Sequence, residues 1–256
     1  MSTLMSRPIV DGGDRSLRSE GGIALIISLM AMLFMMALGA ALMLSTSTDT
    51  KIANNFRNSS EALYAADAGL ERSMADLLTM PNWNSMPSGG ATSAFIDGAP
   101  GDRLLADGST LNLNQVLAQA NCQKTSCSMS DYTAVTHERP WGANNPHWFL
   151  FAYGWLEDMS PSHFDSPFYV VVMVADDQSE NDGDPLKDGA DANNPGSGIL
   201  VLRAEAFGPF GVRQIVELTV VRATPGHSED GSDASVNHDS GIGRAGVRIL
   251  SWRHIR

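Results

Sequence analysis

Between Ile23 and Leu44 the chain runs for 22 residues without a charged side chain. At about 1.5 Å of rise per residue, a helix of that length covers about 33 Å. Bilayer hydrocarbon is roughly 30 Å thick, so the pattern predicts one membrane-spanning helix over 23–44. The pattern then changes period without a break. From 49 to 79, Ile52, Phe56, Leu63, Leu70, Met74 and Leu77 recur at three-, four- or seven-residue intervals, while Lys51, Arg57, Glu61, Glu71 and Arg72 fall elsewhere on the wheel. Residues 45–80 therefore read as an amphipathic continuation of the same helix, stopped by Pro81. The small residues Ala65, Ala66, Ala68 and Gly69 allow another backbone to come close, and the simplest candidate is the chain's own sheet. Gly69 costs about 1 kcal/mol relative to Ala in a helix unless packing compensates.

Beyond the helix, residues 82–256 are enough for one globular domain with one core. Its two halves differ in texture. Residues 82–146 are rich in Gly, Pro, Asn and Ser, with only short apolar pieces such as Leu111 to Leu117, and read as loops with at most a short helix. From His147 onward the apolar residues gather into strand-length runs at 148–153, 168–174, 198–206 and 212–222, with 247–255 as a returning final strand. Gly208-Pro-Phe-Gly211 between two of these runs predicts an antiparallel hairpin. Residues 226–242 are mostly polar.

The segment ahead of the apolar run is not that of a secretory leader. Such a leader has an apolar core of about 7 to 15 residues followed by a small-residue cleavage site, whereas here Ser45-Thr-Ser-Thr48 leads straight to Asp49 and Lys51. The polar stretch Met1 to Glu20 instead ends in Gly21-Gly22, before the run. Arg7, Arg15 and Arg18 lie on that side, against Lys51 and Arg57 on the other, which favours a cytoplasmic N-terminus and a single pass.

Three stretches carry a resemblance: Arg18-Ser-Glu-Gly-Gly-Ile-Ala-Leu-Ile26, Ala53-Asn-Asn-Phe-Arg57 and Ala65-Ala-Asp-Ala-Gly-Leu-Glu71. Together they resemble the start of PilX-type minor pilins of type IV pili. The resemblance implies an α+β, pilin-like fold, with a long N-terminal transmembrane and amphipathic helix packed on an antiparallel β-sheet. It also implies a prepilin leader, 1–22, of the class III signal peptide kind, cut between Gly22 and Ile23 by a prepilin peptidase. Most pilins carry a glutamate five residues into the mature chain; counting from Ile23, this chain has Ile27 there. K-type pseudopilins of type II secretion systems, which sit at the tip, resemble it in this respect. A subunit that begins a filament has no earlier subunit whose α-amine needs a carboxylate, so the absence fits a tip or priming role.

Two features of the domain bear on chemistry. Cys122 and Cys127 are the only cysteines, and a domain facing an oxidising compartment is expected to join them. Two cysteines make a poor zinc site, with His137 and His147 the nearest histidines. Between two predicted strands, residues 176–191 hold seven carboxylates and one Lys. A divalent cation would relieve their repulsion, and Ca2+ accepts six to eight oxygens in flexible geometry. The candidate ligands are Asp176, Asp177, Asn181, Asp182 and Asp184. The spacing is not that of an EF-hand, since placing Gly183 or Gly189 at the sixth position leaves Gln178 or Leu186 where an acid belongs. A solvated acidic loop explains the same composition.

A net charge of −12 argues against nucleic-acid binding, which needs a basic footprint. The last 14 residues reverse the sign, with Arg244, Arg248, Arg253 and Arg256 and no acid. No nucleophile elbow, P-loop, H-E-x-x-H or dinucleotide fingerprint is present, which argues against an enzyme. The expected roles are therefore two. One is a minor pilin, partnered by other minor pilins, the major pilin and a PilY-type tip adhesin, moving from the inner membrane to the pilus and cell surface, or its secretion counterpart. The other is a membrane-tethered, calcium-dependent binding module that never assembles.

Overall fold

The computed structural model describes residues 20–80, 82–159, 164–180, 183–189, 198–223 and 246–255. Pro81, the leader up to residue 19, and the polar segment 226–242 lie outside them. Two compact units divide the chain, 1–55 and 56–256, and the boundary between them falls within a helix rather than after it.

That helix, α1, runs over Glu20–Thr79 without interruption. In the first unit every described side chain on it is exposed. Its hydroxyls turn inward on the backbone: Ser28 Oγ donates to the Leu25 carbonyl (2.9 Å), Thr46 to Leu42 (2.9 Å), Thr48 to Leu44 (3.0 Å) and Thr50 to Thr46 (2.8 Å). Such back-bonding lets a polar side chain sit in apolar surroundings without an unmet donor.

In the second unit the rest of α1 covers a five-stranded antiparallel meander. Ahead of it come a small hairpin, β1 (Asp102–Leu104) and β2 (Thr110–Asn112), and two helices, α2 (Leu113–Cys122) and α3 (Met129–Tyr132). The meander is β3 (Phe149–Trp155), β4 (Tyr169–Asp176), β5 (Ile199–Phe207), β6 (Arg213–Ala223) and β7 (Gly246–Ile255), in sequence order across the sheet. The architecture is α+β and pilin-like. All eight residues of β4 are buried. Its unbroken apolar run follows from covered faces on both sides: Val170, Val172 and Val174 pack with Ala62, Ala65, Ala66 and Leu70 of α1, and Tyr169, Val171 and Met173 pack with Leu113, Val116 and Ala120 of α2.

Gly69 sets how close α1 comes to the sheet. A Cβ there would lie 2.5 Å from Val170 Cγ1 and 3.1 Å from Val172 Cγ2, so the small-residue stripe serves the chain's own sheet. Residues 82–146 hold more structure than their loop-like composition suggests. Asn112 closes the N-terminus of α2 by accepting from the Gln115 amide at 3.0 Å, and a disulfide joins Cys122 to Cys127 just beyond that helix. Residues 93–97 run along the outer edge of β3, where the Ser93 amide donates to Phe151 O (2.8 Å) and the Tyr153 amide to Phe95 O (2.9 Å).

On the face opposite α1, β5–β7 carry an ionic ladder. Arg203 bridges Glu205 and Glu217 at 2.8 Å each, Arg213 pairs with Glu205 at 2.5 Å, and Arg253 pairs with Glu217. One basic residue of the C-terminal segment is thus countered by the chain's own sheet. Both glutamates are buried, so each draws on two guanidinium partners to offset its desolvation.

The β5–β6 hairpin closes through 208–212. Phe210 there has φ +62° and is 85% exposed, and its amide donates to Asp107 Oδ2 at 2.9 Å. The neighbouring Gly208 is required by packing, since a Cβ would lie 2.3 Å from the Phe168 ring.

Candidate functional site

Two parts of the chain bear on function, and each follows from local sequence. The first is the apolar length of α1. Gly22–Thr79 contains the one described helix long and apolar enough to cross a membrane. Gly22 and Ile23 lie within its first turn, and Ile27 sits one turn further on, with an exposed apolar side chain where most pilins place a carboxylate.

The second part is a carboxylate cluster at the β4–β5 connection. Asp176 is the last residue of β4, Glu180 closes the turn that follows, and Asp188 lies in the return toward β5. Each offers an oxygen, and these oxygens all lie within 4.8 Å of one another. The three residues are 3%, 0% and 4% exposed. Asp188 accepts from the Gly198 amide through both oxygens, at 3.0 and 3.1 Å. Burial nonetheless pushes its carboxyl up to about 7, the Asp177 charge acts in the same direction, and the backbone amides and Arg222 pull against them. Asn144 braces the turn from outside, its Nδ2 donating to the Glu180 carbonyl and to Gln178 O at 3.3 Å.

The structure brings together one of the five proposed ligands, Asp176, with two that the sequence reading did not single out. Asp177 is buried beside the cluster and accepts from Ser179 Oγ. Asp184 is paired with Lys187 at 3.0 Å in a more exposed position. Asn181 and Asp182 lie outside the described residues. Glu180 and Asp188 belong to the same acidic run, but which acids converge depends on how the loop folds back to β5, and spacing does not fix that.

Chemically the cluster is an all-oxygen, anionic donor set. Two oxygens on opposite sides of a cation at about 2.4 Å stand about 4.8 Å apart, so carboxylates this close can share one Ca2+-sized ion. The arrangement holds no nitrogen or sulfur donor among its three members, which disfavours zinc.

A long apolar helix followed by an antiparallel sheet that its second half covers defines a pilin-like subunit. Residues 21–71 match the family model described as PilX N-terminal, so that stretch is similar to the start of PilX-like type IV pilins. Pilins of this kind are structural rather than enzymatic, anchor through the apolar helix and associate with other pilus components. No curated protein and no solved structure matches the chain.

Proposed function

We propose that this protein is a minor pilin that enters the filament through α1 after cleavage between Gly22 and Ile23, and that it acts at the start of assembly, at the tip. The PilX-type match over 21–71 carries the reading. Ile27 supports the tip placement, because a subunit with nothing ahead of it needs no carboxylate to meet a neighbour's α-amine. On this reading the processing enzyme is a prepilin peptidase, and the partners are other minor pilins, the major pilin and a PilY-type adhesin. Before assembly the chain sits in the inner membrane with its N-terminus in the cytoplasm.

N-terminal mass spectrometry of chain purified from native membranes tests this. A mature product beginning at Ile23 is expected, and material still beginning at Met1 overturns it. Gold labelling tests the placement: label confined to filament ends is expected, and even labelling along the shaft removes the tip role. Loss of pili, rather than of protein secretion, on deletion separates a pilus subunit from a secretion pseudopilin.

The convergence of Asp176, Glu180 and Asp188 favours a second, compatible reading, in which the β4–β5 connection binds Ca2+. A calcium-dependent rise in melting temperature of the full chain in detergent, absent in Asp176→Asn, is expected. Equal melting in calcium and in chelator excludes it.

A further inference from the structure

Arg139 is 7% exposed and stands in the segment between α3 and β3. Its backbone is pinned on both sides, since its amide donates to Thr136 Oγ1 at 3.0 Å and its carbonyl accepts from the Thr136 amide at 3.0 Å. At the guanidinium, Nη2 donates to the carbonyls of Pro146 (2.9 Å) and Tyr132 (3.3 Å). Nε and Nη1 are buried and have no hydrogen-bond partner. No carboxylate among the described residues pairs with this arginine.

The contrast with the rest of the molecule is sharp. Arg203, whose side chain is 14% exposed, faces two glutamates, and Arg103, at 17%, faces Asp97 at 2.7 Å. A guanidinium stays protonated even when burial pulls its pKa down, so Arg139 cannot escape the cost by releasing its proton. Carbonyl dipoles reduce that cost without cancelling a full charge.

A second unmet group adjoins it. His147 Nε2 is buried and has no hydrogen-bond partner, and its ring rests against Tyr132 at 4.7 Å between centroids. Burial, and then the Arg139 charge, hold the imidazole below its ordinary pKa, so it is neutral at neutral pH and able to donate through Nε2. Asn145, fully buried, fixes the same wall by donating to the Tyr132 (3.1 Å) and Ala134 (2.9 Å) carbonyls. The result is a buried place with one net positive charge and several free N–H donors, in a protein of net charge −12.

We propose that Arg139 and His147 bind one weakly hydrated monovalent anion of halide size, chloride in a salt-containing medium, held by the free guanidinium N–H groups and the His147 imidazole. A single negative charge matches the single buried positive one, and a divalent oxyanion would be left with uncompensated charge and too few donors. The site is independent of the pilin reading.

Thermal unfolding of the full chain in detergent tests the proposal, with sodium chloride replacing sodium gluconate at constant ionic strength. Gluconate, a large and strongly hydrated anion, serves as the reference. Above the dissociation constant, each tenfold rise in chloride is expected to raise the melting temperature by about 3–5 °C, and Arg139→Met is expected to lose that dependence. Excess 35Cl line broadening on the wild-type chain, displaced by bromide, reads the same site and decides the matter should Arg139→Met fail to fold. Equal melting in chloride and gluconate without 35Cl broadening leaves water alone on these donors and overturns the proposal. Chloride dependence undiminished in a folded Arg139→Met overturns it too, by placing the anion elsewhere.

Discussion

One helix is used in two ways along its length, and the two glycines at positions 39 and 69 show the difference. Around Gly39 the side chains are apolar and exposed, and a Cβ added there meets nothing within 4 Å. Around Gly69 the residues are small and buried, and an added Cβ runs into Val170 and Val172. The apolar surface of 23–44 is left for an outside medium or neighbour, whereas the surface of 62–77 is spent on the chain's own core. Small residues flank both glycines, Ala37, Ala40 and Ala41 at the first and Ala65, Ala66 and Ala68 at the second; what separates the regions is the charge-free run of 23–44 against Glu61, Asp67, Glu71 and Arg72 around the second.

The largest expected effect breaks the first region. Leu33→Arg places a charge mid-span at a cost of about 2.5–3.5 kcal/mol on insertion scales. Carbonate extraction should show the chain leaving the membrane fraction, with the strand content of the domain unchanged by circular dichroism.

Gly69→Ala should destabilise the second region by about 1–3 kcal/mol through overpacking, read as a lower melting temperature. Cys122→Ser should cost the same domain about 2 kcal/mol, as expected for removing a crosslink that closes a very short loop, and should leave membrane insertion untouched.

A pH scan in chelator sharpens the picture at the other end of the sheet. Asp188 has its folded pKa raised from the ordinary 3.8 to about 7, so the folded state holds a proton that the unfolded chain has released. Its contribution is complete below about pH 4 and is lost as pH rises through 7. Melting temperature in chelator should therefore fall across that window by more in the wild type than in Asp188→Asn. The smallest effect closes the comparison: Gly39→Ala should leave the domain's melting temperature unchanged and keep or slightly raise helicity, by the propensity difference of about 1 kcal/mol.

Much of this was legible in the sequence, and the reasons are local. Ile23 to Leu44 announces itself by length, and β4 by the run Tyr169 to Ala175, because burial on both faces leaves no polar position to blur the pattern. The hairpin at 208–211 was visible in its glycines. The strands β1 and β2 were not, being three residues each with mixed side chains, and α2 showed only as the apolar piece from Leu111 to Leu117. Gly69 reads as a weak helix residue until Val170 is placed opposite it. The carboxylate cluster was legible as a region but not as a set, since Asp176, Glu180 and Asp188 meet only when the return to β5 is drawn. Arg139 gave no signal at all, because an isolated arginine in a polar stretch looks solvated.

The hydroxyls of Thr46, Thr48 and Thr50, each closed onto the carbonyl one turn back, make the stretch just past the apolar run portable. A hydroxyl already satisfied by its own helix can pass between lipid, other rods and water with the same internal geometry. The work of such a transfer then falls on greasy area and on the charges of Asp49 and Lys51, not on these hydroxyls.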